Sequence, residues 1–147
     1  MLISGLMLAN FRAGDHSNEL QKSAEVLQSR IREAQTRAIS GVGGAGVNGH
    51  GIYMLSNDGF FVSYMDEGGS ALAYDASEET VTTGLLNNVI FALDKDVLFA
   101  VPSGDVYLGG VLQTQVVTST ITHTDTGLTI DVLIIPDTGQ VTISDPY

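Results

Sequence analysis

Two stretches of this sequence spell Asp-Thr-Gly, Asp125-Thr126-Gly127 and Asp137-Thr138-Gly139. Aspartic proteases use that tripeptide to present two carboxylates that share one proton. A bilobal enzyme draws its two copies from separate lobes, whereas these lie twelve residues apart beside one predicted strand. The same tripeptide is ordinary turn chemistry, with Asp capping its own backbone and Gly taking positive φ, and that reading is preferred. Gly41, Gly43 and Gly46 satisfy G-x-G-x-x-G. A dinucleotide site needs that motif to follow a strand and open a helix; here it follows a predicted helix and leads into a strand. The three histidines, His16, His50 and His123, are scattered and show no zinc spacing such as H-E-x-x-H or H-x-H. No serine stands in G-x-S-x-G and there is no P-loop. The expectation is a protein that is not an enzyme and needs no cofactor.

Hard oxygen ligands are a weaker possibility. Asp66-Glu67, Glu78-Glu79 and the pair Asp94 and Asp96 fall on predicted turns, a donor set suited to calcium. No stretch matches a twelve-residue EF-hand loop, and solvated surface charge is the preferred reading.

The elements that would carry these residues divide sharply. Met1–Phe11 is almost wholly apolar, with Leu2, Ile3, Leu6, Met7, Leu8 and Phe11 against only Ser4 and Asn10 as polar members. Beyond it Leu20, Ala24, Leu27, Ile31, Ala34 and Ala38 recur at steps of four and three, one stripe of an amphipathic helix. Arg37 in the last turn and Gly41 just beyond mark its end. Residues 1–40 would make a helix of roughly 60 Å, far longer than a small domain core can cover. The opening run is too short to span a bilayer, which takes about 20 residues, and it lacks the basic start and cleavage site of a secretory signal. It reads either as a buried helix end or as the distal half of a longer apolar helix, with Met1 an internal methionine.

Residues 41–51 hold six glycines and read as a flexible connector. From residue 52 to residue 147 the chain reads as short strands between turn signals. Gly51–Leu55 and Phe60–Met65 flank Ser56-Asn57-Asp58-Gly59, a hairpin with an Asp-Gly turn. Leu72–Tyr74 is a short segment between polar breaks. Val89–Leu93 and Val97–Val101 flank Asp94-Lys95-Asp96, and Asp105–Leu108 follows Pro102-Ser103-Gly104. Val116, Thr118, Thr120 and Thr122 alternate with Val117, Ser119 and Ile121, and Leu128–Ile135 joins Gln140–Ile143 through Pro136-Asp137-Thr138-Gly139. The expected fold is α+β: a long N-terminal helix packed on a C-terminal antiparallel β-sheet domain, its stripe Leu20–Ala38 against the sheet.

Cysteine is absent, so disulfides and thiolate metal sites are excluded. The net charge is −11, and it is unevenly placed. Residues 1–40 carry five cations and four anions, whereas residues 41–147 carry Lys95 alone against thirteen carboxylates. A domain at net −12 on that count should repel nucleic acid and anionic lipid heads.

The apolar start, Asn18-Glu19-Leu20, and the run Arg30–Gly41 together resemble the prepilin-type family, in particular minor pilins of type IV pili and minor pseudopilins of type II secretion. Arg32–Ile39 is similar to that branch's R-x-A-Q-x-x-A-I ending. Val97–Gly110, Gly127–Val132 and Thr138–Ile143 are similar to its later strands. The resemblance implies a pilin-like fold and a structural subunit of an extracellular helical filament, held in the bacterial inner membrane before assembly. It would then pack against copies of itself or other pilin-like subunits at the cell surface. Leu2, Ile3, Leu6, Met7, Leu8 and Phe11 would form the filament core, and Gly5 and Gly14 would be points where the helix could unwind. The family's peptidase site, Gly-Phe followed four residues on by glutamate, is not in this sequence, so processing and the role of that glutamate are carried to no residue here. The alternative is a surface-anchored or secreted acidic β-domain that binds a ligand, with the helix as a stalk.

Overall fold

The computed structural model describes the backbone of residues 2–69, 72–77 and 80–147, and the side chains of residues 14–69, 72–77 and 81–147. Helix α1 runs Leu2–Ile39. Ten strands follow: β1 Val47–Met54, β2 Phe60–Glu67, β3 Thr80–Gly84, β4 Val89–Phe91, β5 Lys95–Ala100, β6 Val106–Leu108, β7 Val111–Leu112, β8 Val117–His123, β9 Thr129–Ile135 and β10 Gln140–Ile143.

The expected fold class needs correction. Among the described residues strands hold 41%, and they form two antiparallel sheets rather than one, so the protein is mostly β. The first sheet has the order β3-β2-β1-β5-β6-β7 and the second β10-β9-β8-β4. Helix α1 touches β1 and β5 of the first sheet and β4, β8, β9 and β10 of the second. One apolar stripe therefore serves two sheets. Alternation in a strand tells which side chains share a face, not which strand lies alongside. The segments flanking Asp94-Lys95-Asp96 illustrate this, because β4 pairs with β8 whereas β5 pairs with β1.

The helix ends as its sequence dictates. Gly41 takes φ of 66°, Gly41 N–H donates to Ala38 O at 3.1 Å and Val42 N–H donates to Arg37 O at 3.0 Å. These bonds satisfy carbonyls that the helix leaves without intrahelical donors. Leu20, Ala24, Leu27, Ile31, Ala34 and Ala38 are all buried, in one core with Ile52, Met54, Phe61, Phe99, Ile121, Ile130 and Ile134. Ser23 lies fully buried on the same helix, and its hydroxyl accepts from the Leu86 N–H at 3.1 Å.

The supposed connector is only half a connector. Residues 41–46 form turns, but Val47–Gly51 is already strand β1, which lies inside the first sheet between β2 and β5. Its glycines are there because neighbours lie over them. A Cβ on Gly51 would come within 2.3 Å of the Tyr64 ring, and one on Gly49 within 2.5 Å of Leu98. The β1–β2 hairpin forms, but its positive φ falls on Asn57 at 62° rather than on Gly59. The segment Leu72–Tyr74 is not a strand. Instead Tyr74 stacks on Tyr53 with ring centroids 4.4 Å apart, and its N–H donates to Asp96 Oδ2 at 2.8 Å.

Candidate functional site

The two Asp-Thr-Gly tripeptides are turns at opposite ends of β9. Gly127 and Gly139 take φ of 72° and 66°, and Asp125 accepts from the Asn88 side chain at 3.2 Å. Seven residues of strand separate the two turns, about 23 Å of chain, so these carboxylates cannot share a proton. Gly41, Gly43, Gly44 and Gly46 all have positive φ in the turns between α1 and β1, which is not the strand–turn–helix setting of a phosphate loop.

The oxygen ligands proposed for calcium do not converge. Asp66 sits on β2 opposite Gly49 and Asp96 on β5 opposite Tyr53, so β1 runs between them and they are four positions apart along it. Asp66 is 3% exposed and its Oδ2 has no hydrogen-bond partner among the described residues. Glu67 is exposed at the end of β2. Asp94 accepts from the Ser56 N–H at 2.6 Å, and that bond holds its carboxyl below the ordinary range. Asp96 accepts from the Tyr64 hydroxyl as well as from Tyr74 N–H. Glu78 and Glu79 lie outside the described residues, as do the side chains of the apolar set Leu2, Ile3, Leu6, Met7, Leu8 and Phe11.

A convergence that the sequence reading missed stands elsewhere. His16 and Glu19 are one helical turn apart on α1, immediately before Leu20, the first core residue of the helix among those described. His123 closes β8, whose buried residues are Val117, Ser119, Ile121 and His123. The strand brings that histidine to the helix. His123 Nε2 lies 3.1 Å from Glu19 Oε2, His16 Nδ1 lies 3.6 Å from the same oxygen, and the two imidazoles are 4.5 Å apart between centroids. His123 is wholly buried, and Glu19 is 40% exposed on its side chain. His123, with burial opposing it and His16 adding to it, holds the Glu19 carboxyl below the ordinary range. Two imidazoles and one carboxylate at such spacing are a donor set for a transition-metal ion. The i, i+3 spacing of His16 and Glu19 and the alternation through His123 were both visible in the sequence; their meeting across 104 residues was not.

The remaining histidine is accounted for. His50 Nε2 is 2.8 Å from Val42 O, tying β1 to the helix exit. A cavity of about 210 Å³ beside it is lined by Arg30, Glu33, Arg37 and Tyr64. Both guanidinium groups there are paired with Glu33 at 2.8 Å, and Arg30, more than Arg37, holds that carboxyl below the ordinary range.

No protein-family model, curated protein or solved structure matches this chain. Among the described residues no helix is long and apolar enough to cross a membrane.

Proposed function

We propose that the chain is a structural subunit of an extracellular helical filament of the prepilin type, assembled through the front of α1. What supports the reading is a mismatch of lengths. Helix α1 has 38 residues, about 57 Å, whereas its core stripe from Leu20 to Ala38 covers about 27 Å. The longest strands have eight residues, again about 27 Å. The core stripe found among the described residues, and the strands beneath it, thus match about half of the helix's length. Its first eleven residues are almost all apolar. Burying them among the helices of neighbouring subunits would contribute about 25 cal/mol for each Å² of apolar surface removed from water. In this reading the subunit is held at the inner membrane before assembly and displayed at the cell surface afterwards, with the acidic β domain outward. It performs no chemistry and contacts other copies or related subunits.

The test compares the full chain with a Leu6→Asp/Leu8→Asp variant by sedimentation and negative-stain electron microscopy. The expected result is high-mass or rod-like assemblies for the parent chain and a monomer with an unchanged melting temperature for the variant. A parent chain that stays monomeric at every concentration, with the amides of residues 2–11 protected from hydrogen exchange against its own domain, overturns the reading. That outcome would leave the helix as part of a single-copy module.

A further inference from the structure

We propose that His16, Glu19 and His123 form a three-ligand site for a divalent transition-metal ion, zinc foremost, which staples helix α1 to the second sheet. The geometry carries this. One donor atom from each residue lies within 4.8 Å of the others. The measured separations are 3.1 Å from His123 Nε2 to Glu19 Oε2 and 3.6 Å from His16 Nδ1 to that oxygen. Three ligands at tetrahedral zinc distances stand about 3.3 Å from one another, so each nitrogen is within a few tenths of an ångström of the required distance from the carboxylate oxygen. His16 Nδ1 adds an independent indication. It is buried and has no partner within hydrogen-bond distance among the described residues, Glu19 Oε2 standing just beyond it at 3.6 Å, a costly condition when nothing satisfies the atom. A metal ion would occupy that lone pair.

The ligand set selects the ion. Two imidazole nitrogens and a carboxylate suit zinc, cobalt, nickel or copper, whereas calcium and magnesium ask for oxygen throughout. Three protein ligands leave a fourth tetrahedral position, which water fills at the exposed side of Glu19. The place is mechanically sensible. The site joins the positions just before Leu20, a core residue of α1, to the end of β8. His123 Nδ1 has no acceptor among the described residues. The outer bond that usually orients a metal-bound imidazole is therefore missing on one ligand, and the site should bind less tightly than a structural zinc finger.

The chain carries only three histidines, so His50, bonded to Val42 O, serves as an internal control. The full chain, freed of metal with a chelator, is titrated with zinc chloride and followed by calorimetry and by NMR of the imidazole rings. The expected result is one ion per chain, with the His16 and His123 rings shifting and His50 unmoved. A raised melting temperature with zinc, and none with magnesium or calcium at equal concentration, should accompany it. His16→Ala and Glu19→Gln are the variants of choice because both positions are partly exposed. Each should remain folded without metal, as the circular-dichroism spectrum shows, and bind zinc at least about tenfold more weakly, since even outer-shell losses cost that much. The proposal is overturned if zinc up to millimolar concentration gives neither heat nor ring shifts, or if the His16 and Glu19 variants bind it as the parent does.

Discussion

At the scale of single residues, glycine plays two opposite parts in this chain. Six glycines in residues 41–51 signal freedom when they stand in a turn and tight packing when they stand in a sheet. Composition cannot separate the two. Gly41 and Gly44 are of the first kind, with φ of 66° and 78° and nothing within 4 Å of an added Cβ. Gly49 and Gly51 are of the second kind, at interior positions of β1 where Leu98 and Tyr64 occupy the space of the missing side chains. Gly51 and Tyr64 are register partners across β1 and β2, and the ring occupies the space a Gly51 side chain would need. Gly51→Ala should therefore force Tyr64 out of place and with it the hydroxyl that donates to Asp96. Overpacking of this kind costs about 1–3 kcal/mol. Urea denaturation checks it, with Gly44→Ala as the comparison, where a Cβ meets nothing within 4 Å but φ is 78°. The Gly51 variant should lose stability and near-ultraviolet tyrosine signal together, and the Gly44 variant only stability.

At the scale of elements, the helix was legible and the sheets were not. A stripe at steps of four and three can face only one way. Among the described residues Leu20, Ala24, Leu27, Ile31, Ala34 and Ala38 are buried, as that stripe requires, with Ser23 beside them. Strands carry less information, since each alternation is compatible with several neighbours. The three-residue β4 pairs with β8 in a different sheet from β5, which follows it after three residues. That choice is made by distant packing. The contact between helix and sheet edge is similarly non-local. Strand β10 lies at the edge of the second sheet, and Val141 O accepts from Gln28 Nε2 and from Arg32 Nη2, each at 2.8 Å. The helix thereby satisfies a carbonyl that would otherwise mark an open edge. Two donors on one acceptor make the pair redundant. Gln28→Ala and Arg32→Ala should each cost about 1 kcal/mol or less, because the other donor remains. The double variant should lose more than the sum, by about 0.5 kcal/mol or more. Thermal or urea unfolding of the four proteins measures this coupling, and strict additivity would mean that water replaces either donor without loss.

At the scale of the whole molecule, charge and apolar surface are segregated along the chain. Residues 1–40 are close to neutral, with five cations against four anions, while the β part holds thirteen carboxylates against Lys95. Opposed signs do not hold copies of such a chain together. If copies associate, the attraction must come from the apolar front of α1, and the β domains must resist it by like-charge repulsion. Repulsion between exposed charges reaches about 30 Å at 0.01 M salt but about 3 Å at 1 M, whereas apolar association persists in salt. Assembly of the proposed filament should therefore tighten as sodium chloride rises from 0.01 M toward 1 M, the reverse of a complex built on complementary charges. Light scattering across a dilution series at each salt concentration reads the effect directly. Removing charge on the β domain, for example by Asp137→Asn/Asp145→Asn at two exposed or half-exposed positions, should shift the low-salt curve in the same direction as added salt. Association that instead weakened with salt would place the contact on the acidic surface and away from the helix, and the filament reading would then have lost its physical basis.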